Sequence, residues 1–242
     1  MKVLALSTST YRGSAAVLDG DRVLGASGYA DLGGHAERIF SAVTEALEAA
    51  AVSRSEIELV ACDIGPGSFT GVRVGVASAK GLALGLGAAL VGVGSLEAMA
   101  AAAFVTGAAG PKDVVVSVLD AKKQEFFIAA HDASGQTLWA PAHVPIADAF
   151  HLLSAWTEFS RLIADGYALR IVGEAALLEP SMAAQVVRGA SVDLPDAVAV
   201  GRVGLRRFAS SKGVAGEFDA SLLEPSYVRP PDAKPMASGA AS

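Results

Sequence analysis

The sequence has a single cysteine, few aromatic residues and no cluster of basic residues. Cys62 is its only cysteine, so an internal disulfide is excluded, and with it a disulfide-stapled fold. Aromatic residues make up only 6% of the 242 residues, and Ala and Gly take their place, which favours closely packed helices and tight turns. With 19 basic against 25 acidic residues, the chain alone is a poor candidate for binding a phosphate backbone. These features predict a soluble globular protein of a reducing compartment, and we expect it in the cytoplasm.

A membrane segment is not expected, although one stretch is apolar enough to raise the question. The first apolar run ends at Ser7 after four apolar residues, which is shorter than a secretory signal requires. Residues 81–110 carry Glu97 as their only charge and are long enough to cross a bilayer. Glycines interrupt this stretch repeatedly, so we interpret it as the end of a helix, a strand at 89–93 and a new helix from Ser95.

Strands and helices alternate along the chain in an order that occurs twice. Residues 1–106 are expected to follow the order β-β-β-α-β-α, and residues 112–228 repeat it. This predicts a duplicated α/β protein with two lobes and a disordered tail at 229–242. The first lobe is predicted to have strands at 2–8, 14–18, 22–27, 58–64 and 89–93 and helices at 35–51, 70–86 and 95–106. The second is predicted to have strands at 114–119, 125–131, 137–141, 169–172 and 191–194 and helices at 148–164, after Gly173 and at 197–211.

The most distinctive local feature is the glycine-rich turn Gly65–Gly71, between a predicted strand and a predicted helix. Exposed backbone N–H groups at such a position can bind an anion. The spacing matches neither common phosphate motif, because Thr70 stands where GxGxxG needs its third glycine and no Lys follows the last glycine. The alternative is a tight turn in which Ser68 or Thr70 caps the helix. If the turn binds phosphate, the candidate residues are Ser7, Thr8, Gly65, Gly67 and Ser68.

A row of small residues follows on the predicted helix at 70–86. Gly71, Gly75, Ala79 and Ala83 occupy successive i, i+4 positions, so they form a flat ridge on one helical face. A ridge of this kind lets another backbone approach closely. Two interpretations stay open from the sequence: the ridge packs on the chain's own sheet, or it contacts a partner subunit.

The residues alone indicate no catalytic centre or metal site. The four histidines form no i, i+4 pair on a predicted helix, and the nucleophile motif GxSxG is absent. Asp120 follows an apolar strand, where a carboxylate can be catalytic, but Asp120–Lys123 also fits a solvated hairpin turn. The residues therefore predict a duplicated α/β protein without a recognisable catalytic set.

Several segments of the chain resemble the TsaB family, the non-catalytic partners in the bacterial system that makes threonylcarbamoyladenosine in tRNA. The resemblance spans nearly the whole chain and is most specific at 64–83. It implies the duplicated fold shared by actin, Hsp70 and sugar kinases, the ASKHA fold. The segments that carry it are 35–38, 64–73, 79–83, 93–98, 120–125 and 225–229.

The resemblance also implies partners. The chain would form a heterodimer with the catalytic sister TsaD and assemble with the ATPase TsaE, while TsaD transfers threonylcarbamoyl to the tRNA adenosine beside the anticodon. No cofactor is expected in the isolated chain, tRNA would be reached only through the complex, and ATP or ADP would lie at an interface of that complex. A homodimer of the free chain stays open. The implied contact residues on the helices at 35–51 and 70–86 are His35, Arg38, Ile39, Gly71, Arg73, Gly75, Ala79 and Ala83.

Two departures from catalytic relatives favour a scaffold. TsaD-type proteins carry an HxxxH metal motif where this chain has Ser95 and Met99, and Ser7 stands where the family's first strand usually ends in Asp. The alternative is a stand-alone kinase or ATPase of the same fold. It would hold phosphates with Gly65–Gly71 and the residues from Ser7 to Ser9, and would place Asp63 or Asp120 near a metal ion.

Overall fold

Two five-stranded sheets form the framework of the protein. The computed structural model describes residues 1–30, 34–174, 178–211 and 219–229. Alternating side chains of each strand point to opposite faces of the sheet, as Val3 and Ala5 do against Leu4 and Leu6, so that both faces are apolar and covered. The first sheet contains β1 (Lys2–Ser7), β2 (Arg12–Asp19), β3 (Arg22–Ala30), β4 (Leu59–Asp63) and β5 (Ala89–Val93). The second contains β6 (Asp113–Lys122), β7 (Glu125–His131), β8 (Thr137–Pro145), β9 (Ala168–Val172) and β10 (Val186–Val187).

The two sheets have the same topology. The strand order is β3-β2-β1-β4-β5 in the first sheet and β8-β7-β6-β9-β10 in the second. In each sheet the first three strands are antiparallel neighbours, and the fourth and fifth run parallel to the first. The structure therefore confirms the duplicated α/β fold that element order predicts.

Helices cover both outer faces and fill the space between the sheets. The first two, α1 and α2, lie on the outer face of the first sheet, and α4 and α5 lie on the outer face of the second. Between the sheets, α3 contacts β6 and β7, while α6 contacts β1 and β4 although it comes from the end of the chain. The helices are α1 (His35–Ala50), α2 (Phe69–Leu86), α3 (Ser95–Thr106), α4 (Ile146–Ala155), α5 (Thr157–Ala164) and α6 (Ala197–Ser210).

Close contact between α6 and the first sheet depends on two glycines. A Cβ on Gly201 would lie 3.2 Å from the Cβ of Ala5, and one on Gly204 would lie 2.7 Å from the Cβ of Ala61. The largest apolar cluster accordingly combines residues of both sheets with α3 and α6. The predicted second lobe, 112–228, thus supplies a helix that covers the inner face of the first sheet.

The second half differs from expectation in three places. The helix predicted at 148–164 is broken at Trp156, which has extended backbone and stacks on Phe159 with ring centroids 5.9 Å apart. The strand predicted at 191–194 is wrong: those residues form turns, and the fifth strand is Val186–Val187. In place of a regular helix after Gly173 there is a short 3₁₀ helix at Pro180–Gln185 with Pro at its start, and residues 175–177 lie outside the described part of the chain. Of the predicted tail, residues 230–242 also lie outside it.

Residues 81–110 form the end of α2, β5 and α3, as the spacing of glycines predicts. Within the described residues, no helix has both the length and the apolar character that a membrane crossing requires.

Candidate functional site

A buried carboxylate lies where β1 and β4 end, which is the edge at which α/β proteins usually bind ligands. Asp63 is fully buried at the end of β4. Its Oδ2 accepts hydrogen bonds from Ser7 Oγ at 2.7 Å and Ser9 Oγ at 2.5 Å. Its Oδ1 accepts from Ser95 Oγ at 2.5 Å and from the Gly65 N–H at 3.0 Å. The carboxylate thus joins β1, the turn after β4 and the start of α3.

These contacts leave the Asp63 carboxylate no exposed oxygen. Burial raises the pKa of Asp63 above its ordinary value, and the four hydrogen bonds, led by that from Ser9, act against this rise. Among the residues that the structure describes, no three His, Cys, Asp or Glu side chains are grouped so that they could hold a metal. Ser95 donates to Asp63 and Met99 is buried. The cluster is therefore arranged to cross-link the fold.

The other carboxylate considered for the kinase alternative, Asp120, lies at a hairpin. Its Oδ1 accepts from the Lys122 N–H at 2.7 Å, and its Oδ2 accepts from Lys122 Nζ at 2.6 Å. Asp120 therefore stabilises the turn between β6 and β7. This agrees with the interpretation of Asp120–Lys123 as a solvated hairpin turn. Of the two carboxylates considered for the kinase alternative, Asp63 has no oxygen that faces solvent, and Asp120 is exposed but paired with Lys122.

The candidate phosphate residues use their polar groups within the chain. Thr8 Oγ1 donates to the Gly71 carbonyl at 2.7 Å, and Ser68 Oγ accepts from the Gly71 N–H at 3.2 Å as the N-cap of α2. The Ser68 N–H donates to the Ser9 carbonyl at 2.6 Å, and a Cβ on Gly67 would collide with that same carbonyl. Ser7 and Gly65 donate to Asp63, as described above. The glycine-rich turn, which contains a cis Gly65–Pro66 peptide, is therefore packed directly on the end of β1.

The small-residue ridge of α2 faces inward. Gly71, Gly75, Ala79 and Ala83 are all buried, and a Cβ on Gly71 or Gly75 would collide with Thr8. Of the two interpretations left open by the sequence, the structure supports packing on the chain's own sheet. This revises the implied role of these four residues, because a buried row cannot present its surface to a partner.

The remaining implied contact residues divide between core and surface. His35 is buried: its ring nitrogens lie 3.1 Å from Tyr29 Oη and 2.8 Å from the Thr10 carbonyl, so it anchors the start of α1. Ile39 is fully buried in the apolar cluster under α1. Arg38 is exposed with its guanidinium 5.1 Å from the centre of the Tyr29 ring, and Arg73 is exposed on α2. Of the eight residues, only Arg38 and Arg73 can reach a partner.

A second row of residues on α2 is exposed, and it is not among the contact residues expected from the sequence. Ala77, Gly81 and Leu84 face solvent, and Leu84 is 72% exposed. No atom of the described residues lies within 4 Å of a Cβ placed on Gly81. On the neighbouring α1, Phe40 is 49% exposed. We call Phe40, Ala77, Gly81 and Leu84 the outer helical face. Large apolar side chains exposed at this level, together with small neighbours, are typical of a surface that a partner covers.

The N-terminal end of α2 is joined to the last described segment of the chain. Arg73 places its guanidinium carbon 3.7 Å from the centre of the Phe69 ring, and its Nε donates to Tyr227 Oη at 2.9 Å. The rings of Phe69 and Tyr227 are 5.6 Å apart. Tyr227 lies 154 residues after Arg73 in the chain, so no local pattern in the sequence could have revealed this contact.

Comparisons with known proteins agree with the observed fold. The family model described as "TsaD: tRNA N6-adenosine threonylcarbamoyltransferase" matches residues 33–231. The chain is 33% identical to Escherichia coli TsaB over 139 residues, 57% of this chain and 58% of that protein. It is 31% identical to an uncharacterized Mycobacterium tuberculosis protein over 97% of this chain and 95% of that one. The crystal structure of YeaZ from Pseudomonas aeruginosa superposes with a TM-score of 0.71 at 26% identity, covering 93% of this chain and 99% of that chain.

The two sheets of equal topology match the ASKHA fold that the resemblance implies, and the YeaZ structures share this fold. The chain belongs to the TsaD family, and within that family it is similar to the TsaB proteins of E. coli and Haemophilus influenzae. The matched segments span little more than half the length of the E. coli and Haemophilus influenzae TsaB proteins, 58% and 52% respectively.

Proposed function

We propose that the chain is a non-catalytic accessory subunit in the biosynthesis of threonylcarbamoyladenosine in tRNA. Family membership supports the pathway, since the matching model describes a tRNA N6-adenosine threonylcarbamoyltransferase. The hydrogen bonding of Asp63 supports the accessory role. A catalytic or metal-binding carboxylate needs an oxygen that faces substrate or metal, whereas both oxygens of Asp63 are occupied by serine hydroxyls and a backbone N–H.

The outer helical face is the observation that carries a partner role. It is apolar, belongs to two helices that contact each other and leaves Phe40 and Leu84 largely exposed. The partner that fits is the catalytic sister TsaD, which would cover this face in a heterodimer, with Arg38 and Arg73 beside it. The ATPase TsaE would join the assembled pair, and ATP or ADP would lie at an interface of the complex. A homodimer of the free chain would use the same face and would compete with TsaD.

A charge placed on the outer helical face tests this proposal. Ala77→Arg should weaken binding to TsaD of the same organism by at least about tenfold, because the guanidinium would be desolvated without a partner. Isothermal titration calorimetry measures the affinity. Ala209→Arg is the matched control, since Ala209 is exposed on α6 and lies outside the outer helical face. Equal affinity of both variants and the unmodified chain would contradict the proposed interface.

A further inference from the structure

Three of the segments that carry the TsaB resemblance meet at one surface. The segment Asp219–Arg229, which we call the strap, crosses the turn after β4, where the Ser226 N–H donates to the Ile64 carbonyl at 2.8 Å. Tyr227 then contacts α2. Two residues further, Arg229 donates to the Ala121 carbonyl at 3.1 Å and lies 3.3 Å from the Glu125 carboxylate. The strap thus links residues 64–73 to the hairpin at 120–125.

The surface exposes aromatic rings beside a guanidinium. Phe69 is 51% exposed and Tyr227 is 52% exposed. Arg73 fixes both rings, lying over one and hydrogen-bonded to the other. Planar groups held in this way at the surface provide faces on which nucleobases stack, and stacking needs no particular base sequence.

The hairpin contributes a strained, lysine-bearing tip. Lys122, Lys123 and Gln124 have φ angles of 64°, 54° and 61°, so three consecutive residues other than glycine adopt the left-handed conformation. Asp120 holds this tip through its two hydrogen bonds to Lys122, and the Lys122 side chain is 81% exposed. Backbone strain of this kind is concentrated at ligand-contacting sites, where a fixed side-chain direction is needed.

The charge of this surface differs from that of the whole chain. The aromatic–cationic surface consists of Phe69, Arg73, Lys122, Lys123, Tyr227 and Arg229. Among the described residues, its four cations outnumber the adjacent carboxylates Asp120 and Glu125, in a chain with a net charge of −6. Glu224 is exposed on the strap and opposes this local excess of positive charge. The outer helical face, in contrast, carries no charged residue and suits a protein partner.

We infer that the aromatic–cationic surface contacts single-stranded RNA directly. Bases stack on Phe69 and Tyr227, while backbone phosphates meet Lys122, Lys123 and Arg229. That the RNA is the anticodon loop of the tRNA substrate rests on the proposed function. This goes beyond the expectation that tRNA is reached only through the complex, because the accessory chain itself then supplies part of the RNA-binding surface.

The test is a titration of a dye-labelled anticodon stem–loop RNA, followed by fluorescence anisotropy at several salt concentrations. The chain is measured alone and in complex with TsaD. Tyr227→Ala should weaken RNA binding by about 5- to 20-fold through the lost stacking face. The double variant Lys122→Gln/Lys123→Gln should reduce the slope of log affinity against log salt by about 1.4. Glu224→Gln should strengthen binding, which a purely structural role of the strap would not explain.

A matched control and a pairing assay separate the outcomes. Arg54→Gln/Arg161→Gln removes two exposed charges from other parts of the surface and should leave the salt slope unchanged. Unchanged RNA affinity and salt slope in the lysine variant would overturn the inference. The inference would also be overturned if the lysine variant lost TsaD binding while the free chain kept its RNA affinity. The surface would then be a protein interface. If TsaD does not pair with the chain at all, the proposed function fails, and the titration of the free chain alone decides the inference.

Discussion

Two glycines of α2, Gly75 and Gly81, have different surroundings. A side chain on Gly75 would collide with Thr8, whereas a Cβ on Gly81 would meet nothing within 4 Å. Gly75→Leu should therefore lower the free energy of unfolding by about 1–3 kcal/mol through overpacking. Gly81→Ala should raise it by about 0.5–1 kcal/mol through helix propensity. Urea denaturation measures both variants. A neutral effect of Gly75→Leu would contradict the inward orientation of the ridge.

His131 should make stability depend on pH. It is buried at the end of β7, its Nδ1 has no hydrogen-bond partner among the described residues, and burial lowers its pKa from 6.5 to about 4. As the pH falls from 6.5 towards 4, the His131 imidazole therefore becomes protonated in the unfolded chain but stays neutral in the folded chain. Stability should drop by about 2–3 kcal/mol between pH 7 and pH 4.5 from this residue.

Urea denaturation at both pH values, on the unmodified chain and on His131→Leu, isolates the contribution of His131. The variant should lose this part of the pH dependence. His151→Gln provides the control, because His151 is exposed on α4 and the slope should persist. The same pH dependence in the unmodified chain and His131→Leu would show that the buried imidazole is not its source.

At the level of single elements, the sequence predicted the bounds of α2 and the small row along it, but not the direction in which that row faces. Gly71, Gly75, Ala79 and Ala83 form one i, i+4 row, and Arg73, Ala77, Gly81 and Gly85 form another. Both rows are rich in small residues, so neither amphipathicity nor residue size distinguishes them. The contact with Thr8 decides the matter, and it depends on a residue more than 60 positions away.

Elements with strong local signals were predictable, and those fixed by distant contacts were not. The strands at 89–93 and 125–131 and the helix at 95–106 occur as predicted. Each is an apolar run, bounded by glycines at 89–93 and 95–106 and by polar turn residues at 125–131. The break at Trp156 depends on ring packing against Trp139 and Phe159. The strap depends on contacts across the whole chain length. The Asp63 cluster was likewise hidden, since its serines come from the end of β1 and from the start of α3.

At the level of the whole molecule, the element order predicted duplication, but it did not show that α6 covers the first sheet. The predicted lobe 1–106 lacks that helix. A fragment of residues 1–106 would expose the inner face of its sheet, including Val3, Leu59 and Val93. We expect the fragment to aggregate or to unfold without cooperativity, whereas the full chain unfolds in one transition. Circular dichroism in urea distinguishes the two. Cooperative unfolding of the soluble fragment would contradict this role of α6.

We propose that the chain acts by pairing with TsaD, and size-exclusion chromatography with light scattering measures this pairing without any variant. The chain, with a mass of 24.4 kDa, should be run alone and mixed with TsaD of the same organism at micromolar concentration with ATP present. Run alone, it also reveals whether a homodimer forms. We expect a new peak at the summed mass of one copy of each protein. Two unshifted peaks, each at the mass of the separate protein, would contradict it.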